Sequence, residues 1–231
     1  MKITIFLIIV AAILIGAWYF ESQRREGLDK IADSIGFVLE PGQQRLADSL
    51  DSVNFYLFNQ GQPLVQNLMR GELNGDHIEV FNYSYTASEG FEGSRELPNL
   101  SDEGRITTYM QTVACFLDIK AIPHFDLSPK DGSKRTLNSE FRSVGFDDAH
   151  GFTQHYNLAA REEASVRLLF NDELLAHFAH DPGWVVESRG RQVIFYHKDE
   201  RLKPERIADF IEQAQAHIER FRLSQNKREA Y

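Results

Sequence analysis

Eighteen consecutive residues near the start of the chain, Ile3 to Phe20 (ITIFLIIVAAILIGAWYF), carry no charge and leave no polar face. As a helix rising about 1.5 Å per residue, the run is roughly 27 Å long, close to the hydrocarbon thickness of a bilayer. A helix lying on a globular core keeps a polar stripe for solvent, and this one has none. Trp18 and Tyr19 stand at its end, where amphipathic rings favour the membrane interface. These features predict a single-pass transmembrane anchor over residues 1–22. A cleaved signal peptide is the rival expectation. It needs a basic start, a shorter apolar stretch and a small-x-small cleavage site. Here Lys2 is the only basic residue before the run, which closes on Ala17-Trp18-Tyr19-Phe20.

Lys and Arg flanking a span set its orientation. Lys2 lies on one side and Arg24, Arg25 and Lys30 on the other. That balance predicts a single-pass membrane protein whose soluble domain faces the cytoplasm. The net charge is −9, and its acidic excess falls wholly after residue 20. Such a domain repels phosphate backbones, which argues against nucleic acid. It also leaves bilayer contact to residues 3–20 rather than to a basic surface. Cys115 is the only cysteine, so the chain has no internal disulfide framework.

Beyond the anchor, residues 23–223 read as a soluble α+β domain and residues 224–231 as a polar tail. Leu28, Ile31, Ala32 and Ile35 have helical spacing, and Gly36 stops that helix. Pro41-Gly42 marks a turn, and Gln43–Leu50 reads as a second short helix. Asn74-Gly75 supplies two positions tolerant of positive φ between two strand-like runs, which predicts a tight hairpin. In the second arm Phe81, Tyr83 and Tyr85 share one face and Ile78 and Val80 the other, which becomes polar at Asn82 and Ser84, as in a strand partly covered on both faces. Ala87–Gly104 reads as loop, and a third strand from Ile106 completes an antiparallel meander. Pro123–Pro129 reads as an edge segment, because its two prolines cannot donate to a ladder. Asp131–Asn138 reads as polar loop.

Phe152–Leu158 reads as a strand and Glu162–His180 as one helix, with Val166, Phe170, Leu174 and Phe178 at intervals of four. Trp184–Ser188 and Gln192–His197 predict a second hairpin. Pro204 opens a last helix whose stripe is Ile207, Ile211, Ala214, Ile218 and Phe221. The expected fold class is therefore α+β: a transmembrane helix, then an antiparallel sheet of hairpins and a meander with packed helices. One shared sheet and two small subdomains divided near 130–150 both fit this pattern.

The strands VFNYSYT and TYMQTVA, followed by Pro123-His124-Phe125-Asp126-Leu127-Ser128-Pro129, resemble those of an uncharacterised bacterial family of N-terminally membrane-anchored proteins. That resemblance runs from Met1 to about Phe221. The family's strand carries Asp where this chain has Asn82. It implies an anchored domain and no particular activity. As residues, these strands read as sheet core, with Gln111 and Thr112 placed for cross-strand hydrogen bonds.

Groups with chemical potential are few. His177 and His180, followed by Asp181, form an H-x-x-H at a helix end, but a zinc site needs more ligands than this. Asp147, Asp148, His150 and His155 crowd one stretch and supply carboxylates and imidazoles for acid–base or metal chemistry. Cys115 sits in an apolar strand, as a small buried residue does. Gly-rich phosphate loops and nucleophile elbows are absent from the sequence. No catalytic, cofactor-binding or metal-binding residue is therefore assigned, and no cofactor is expected. The function this predicts is a membrane-tethered binding or scaffold domain with a protein partner at the membrane. The alternative is a hydrolase-like envelope enzyme using the Asp147–His155 stretch.

Overall fold

The computed structural model describes residues 2–45, 50, 53–88, 106–131, 135, 137–147 and 151–229, without most of the side chains of residues 2–20. Helix α1 is unbroken from Lys2 to Ile35, so the apolar run and the Gly27–Ile35 helix are one element. Gly36, at φ +74°, ends it. Among the described residues no helix is long and apolar enough to cross a membrane. The span expected at Ile3–Phe20 falls mostly on side chains outside the description.

Nine described strands form one antiparallel sheet. They are β1 (Val38–Gln44), β2 (Gln62–Leu73), β3 (Asp76–Ser88), β4 (Ile106–Leu117), β5 (Ile122–Pro129), β6 (Arg142–Ser143), β7 (Tyr156–Ala160), β8 (Trp184–Gly190) and β9 (Gln192–His197). Their spatial order is β1-β2-β3-β4-β9-β8-β5-β7-β6. A single sheet therefore runs through both halves of the chain. The β2–β3 turn has Asn74 at φ 53° and Gly75 at φ 84°, the two left-handed positions that an Asn-Gly hairpin provides.

Four expectations are corrected. Gln43 and Gln44 lie in strand β1, paired with Gln66 and Val65 across a bulge, and most of the remaining Gln43–Leu50 segment lies outside the described residues. Strand β5 is interior, paired with β7 on one side and β8 on the other. It tolerates proline because Pro123 sits in the register shift between Ile122 and Phe125, and Pro129 ends the strand. Phe152–His155 forms one helical turn, α2, and only then does β7 begin. The expected 162–180 helix is two, α3 (Glu163–Leu169) and α4 (Asp172–His180), because Asn171 leaves helical geometry and its side chain accepts from Leu174 N to cap α4. The Ala87–Gly104 loop lies mostly outside the described residues, apart from its first two positions, which continue β3.

Pro204 opens a 3₁₀ turn that leads into helix α5 (Ile207–Glu229). Helix α5 continues into the expected polar tail as far as Glu229, and Ser224 is buried there, donating to Leu169 O. The two sheet faces differ. One is covered by α1, α3, α4 and α5, which enclose Leu28, Ala32, Val80, Phe116, Phe125, Phe170, Phe178 and Phe221. The other is partly covered by the segment around the 3₁₀ turn Leu57–Asn59, which packs Phe55 and Phe58 against Phe81, Tyr83, Val113 and Cys115.

Helix α1 docks in sequence along the first face. Gly27 lies against the Pro204 ring, Leu28 and Ala32 enter the core, and Phe37 lies over Gly71. A Cβ on Gly71 would overlap the Phe37 ring. Gly71→Ala should cost about 1–3 kcal/mol through overpacking, whereas Gly145→Ala, with nothing within 4 Å, should stay within about 0.5 kcal/mol of the natural chain. Chemical denaturation of both variants checks this; equal stabilities would contradict the close approach.

Candidate functional site

Acidic residues inside apolar strands are costly to bury unless they are paired. Two of them, Asp126 on β5 and Glu187 on β8, point to the face opposite the helices and are 2% and 0% exposed. Their register places them side by side. Arg135 reaches between them and donates from Nη2 to Asp126 Oδ2 at 3.1 Å and to Glu187 Oε1 at 2.8 Å. Its guanidinium lies 4.2 Å from the centre of the Tyr56 ring. Glu187 gathers further donors: the backbone N–H of Tyr56 (2.6 Å) and Leu57 (3.2 Å), and the Tyr196 hydroxyl (2.9 Å). Arg189 Nη2 stands 3.7 Å from Glu187 Oε2. One carboxylate thus ties the Leu57 turn, the Arg135 segment and strand β9 to the sheet.

Burial pushes the Asp126 carboxyl up to about 7. Arg135 opposes the shift, Glu187 adds to it, and Arg189 opposes it more weakly. The neighbouring carboxylates hold Arg135 above its ordinary value, despite burial, which acts the other way. Burial holds the Tyr196 phenol well above its usual range. The cluster therefore carries a permanent cation and one carboxyl that takes up a proton near neutrality.

Beside the cluster is a pocket lined by Tyr56, Tyr85, Gln111, Ser128, Arg135 and Lys198, among others. It is a cleft of about 480 Å³, open to solvent on one side. Gln111 is 1% exposed, and its amide nitrogen has no hydrogen-bond partner among the described residues. Lys198 Nζ donates to Asp131 Oδ2 at 3.0 Å.

The residues singled out in the sequence are placed elsewhere. Asp147 and His155 are exposed, and Asp148 and His150 lie outside the described residues. His177 does not pair with His180, which is exposed. Its Nε2 lies 2.8 Å from Nδ1 of His217 on α5. His217 stacks on Phe178 and Phe195, and burial, with His177 and His197 nearby, pushes its pKa down to about 3. It is a neutral core histidine. Among the described residues no group of three His, Cys, Asp or Glu side chains is placed to hold a metal. Cys115 is fully buried, and burial raises its thiol well above the ordinary value. Thr112 bonds across the strands to Asn82, as its position suggested. Asp126 and Glu187 went unassigned in the sequence, although an acid inside FDLS and WVVES is itself a signal. Arg135 carried no signal, because it comes from an irregular segment.

No protein-family model matches the chain, and no curated protein matches it. Among solved structures, the mycobacterial trehalose monomycolate transport factor A, TtfA, is similar. Its TM-score is 0.55 over 89% of this chain and 92% of that one, at 15% sequence identity. At that identity the likeness concerns the fold alone.

Removing Arg135 leaves two buried carboxylates without their shared cation. Arg135→Leu should cost about 3–5 kcal/mol at pH 8 and less at pH 5, where Asp126 is protonated. The sign for Asp126 follows from its raised value. An unfolded aspartate titrates near about 3.9, so between there and about 7 the folded state holds a proton that the unfolded state has released. Its contribution to stability therefore falls as pH rises through that window, by up to about 1.4 kcal/mol per unit. Relative to the natural chain, Asp126→Asn should gain stability steadily from pH 4 to pH 7. A pH-independent difference in denaturation midpoints would contradict the assignment.

Proposed function

We propose that the chain is a membrane-tethered binding domain, with the first part of α1 as a single bilayer span and the α+β domain on the cytoplasmic side. The observation that carries this reading is the continuity of α1. The same helix that bears Ile3–Phe20 continues to Ile35 without a break and contributes Leu28 and Ala32 to the core. Polar contacts begin just past the apolar run. Arg201 reaches Glu21 at 3.4 Å, and Arg24 donates to Leu202 O at 2.7 Å and to Asn82 Oδ1 at 3.3 Å. A span built this way holds its domain close to the bilayer at a fixed angle, with no flexible linker between them.

The buried Arg135–Glu187 cluster and the adjoining pocket supply a shaped, partly polar site of the kind a binding domain needs. A fold of this kind in a trehalose monomycolate transport factor is consistent with a lipid-related role. The Asp147–His155 stretch lends no support to the enzymatic alternative, since its described members are solvent-exposed.

Membranes from cells expressing the full chain test the tether. The chain should stay in the pellet after alkaline carbonate washing, and a chain beginning at Glu21 should move to the supernatant. Release of the full chain by carbonate would sink the reading. Protease added to spheroplasts should spare the domain; its digestion from outside would overturn the cytoplasmic orientation.

A further inference from the structure

The pocket has a definite position relative to the apolar run. Along the first face α1 runs antiparallel to β3. Arg24 meets Asn82, while Phe37, further along, lies over Gly71, which pairs with Ile78. Past Asn82, β3 therefore heads toward the apolar half of α1, and β4 returns from there. Tyr85 and Gln111 belong to this part of the sheet, with Gln111 paired to Tyr83. Thr112, next to Gln111, bonds both Asn82 and the backbone N–H of Leu202, beside the Arg24 contact. Tyr109 stacks on Tyr85 with centroids 5.0 Å apart, and Met110 is 45% exposed. The pocket thus lies at the end of the sheet nearest the apolar run, on the face that α1 leaves open.

Its chemistry is mixed and close to neutral. Each lining cation is already held by a carboxylate, Arg135 by Asp126 and Glu187 and Lys198 by Asp131. A phosphate would have to displace Asp131 and approach Glu187. A polyhydroxylated ring meets no such penalty. Its C–H face can lie on a tyrosine ring, and its hydroxyls can accept from the Gln111 amide and Lys198 and donate to Asp131 or Ser128. The buried Gln111 nitrogen, which has no hydrogen-bond partner among the described residues, is a donor that such a hydroxyl would satisfy.

We propose that this pocket binds the neutral sugar headgroup of a glycolipid lying in the bilayer that α1 spans, with Gln111 and Tyr85 as the recognising residues. The proposal rests on the tether reading, which supplies the bilayer at that end of the domain.

The full chain reconstituted into phosphatidylcholine nanodiscs tests it, with bound lipid measured by native mass spectrometry. Discs doped with a diglucosyl diacylglycerol should show that lipid retained on the protein, and discs doped with phosphatidylglycerol should show no matching retention. Gln111→Leu should lower glycolipid retention by up to about tenfold, the worth of one lost hydrogen bond. Tyr85→Ala should lower it similarly. Lys198→Ala, at the pocket rim, gives a third reading if either of these fails to fold. Preference for phosphatidylglycerol, no preference at all, or binding of free maltose without glycolipid retention would each overturn the proposal. Failure of the chain to enter nanodiscs would instead overturn the tether.

Discussion

The structure depends on one helix being held along half its length. From Glu21 onward α1 is fixed by Arg201 at Glu21, by Arg24 on Asn82 and Leu202, by Pro204 on Gly27, and by Leu28 and Ala32 in the core. Before Glu21 its sequence offers lipid-compatible side chains and nothing that a soluble domain requires. Because the helix is unbroken, the orientation of the domain follows from the orientation of the apolar run. Gly27 matters here because the Pro204 turn packs directly on it, a new Cβ meeting the Pro204 ring at 3.0 Å, closer than ordinary van der Waals contact.

The two faces of the sheet divide the labour. The helix-covered face is a large aromatic core in which Phe125, Phe170, Phe178 and Phe221 meet edge-on, tilted or, for Phe170 and Phe178, stacked. Its other end is fastened where Asp76, at the β2–β3 turn, accepts from Gln215 and Arg222 of α5. The opposite face carries the buried carboxylates. Their value is not bulk stability, since buried ion pairs seldom exceed their desolvation cost. They fix the irregular segments bearing Tyr56 and Arg135 in one arrangement, and those segments wall the pocket.

Local chemistry made much of the fold legible. Asn74-Gly75, Gly36 and Pro204 each act through their own backbone preferences, and the structure places a hairpin turn, a helix end and a helix start there. The two-faced strand at Ile78–Tyr85 was readable because Phe81, Tyr83 and Tyr85 alternate on one face while Ile78 and Val80 make the start of the other apolar too. The errors came where tertiary context outweighs local preference. Prolines signal an edge, yet a bulge at Pro123 let β5 take two neighbours. Apolar residues four apart suggested one helix through Phe170, but the Asn171 side chain caps a new one. The pocket was nearly invisible. Gln111 read as a cross-strand partner, and Arg135 gains its role only where the sheet sets Asp126 beside Glu187, an acid 52 residues away in sequence.

The central claim is that α1 carries its domain on a bilayer-spanning segment. Spin labels on single introduced cysteines test it directly, because the native Cys115 is buried and will not compete for label. With the full chain in liposomes, collision with a lipid-soluble and a water-soluble relaxant gives the depth of each site. A label at Ala11 should lie near the bilayer centre, one at Tyr19 at the interface, and one at Asp29 in water. A label at Ala11 as accessible to the water-soluble relaxant as one at Asp29 would contradict the account.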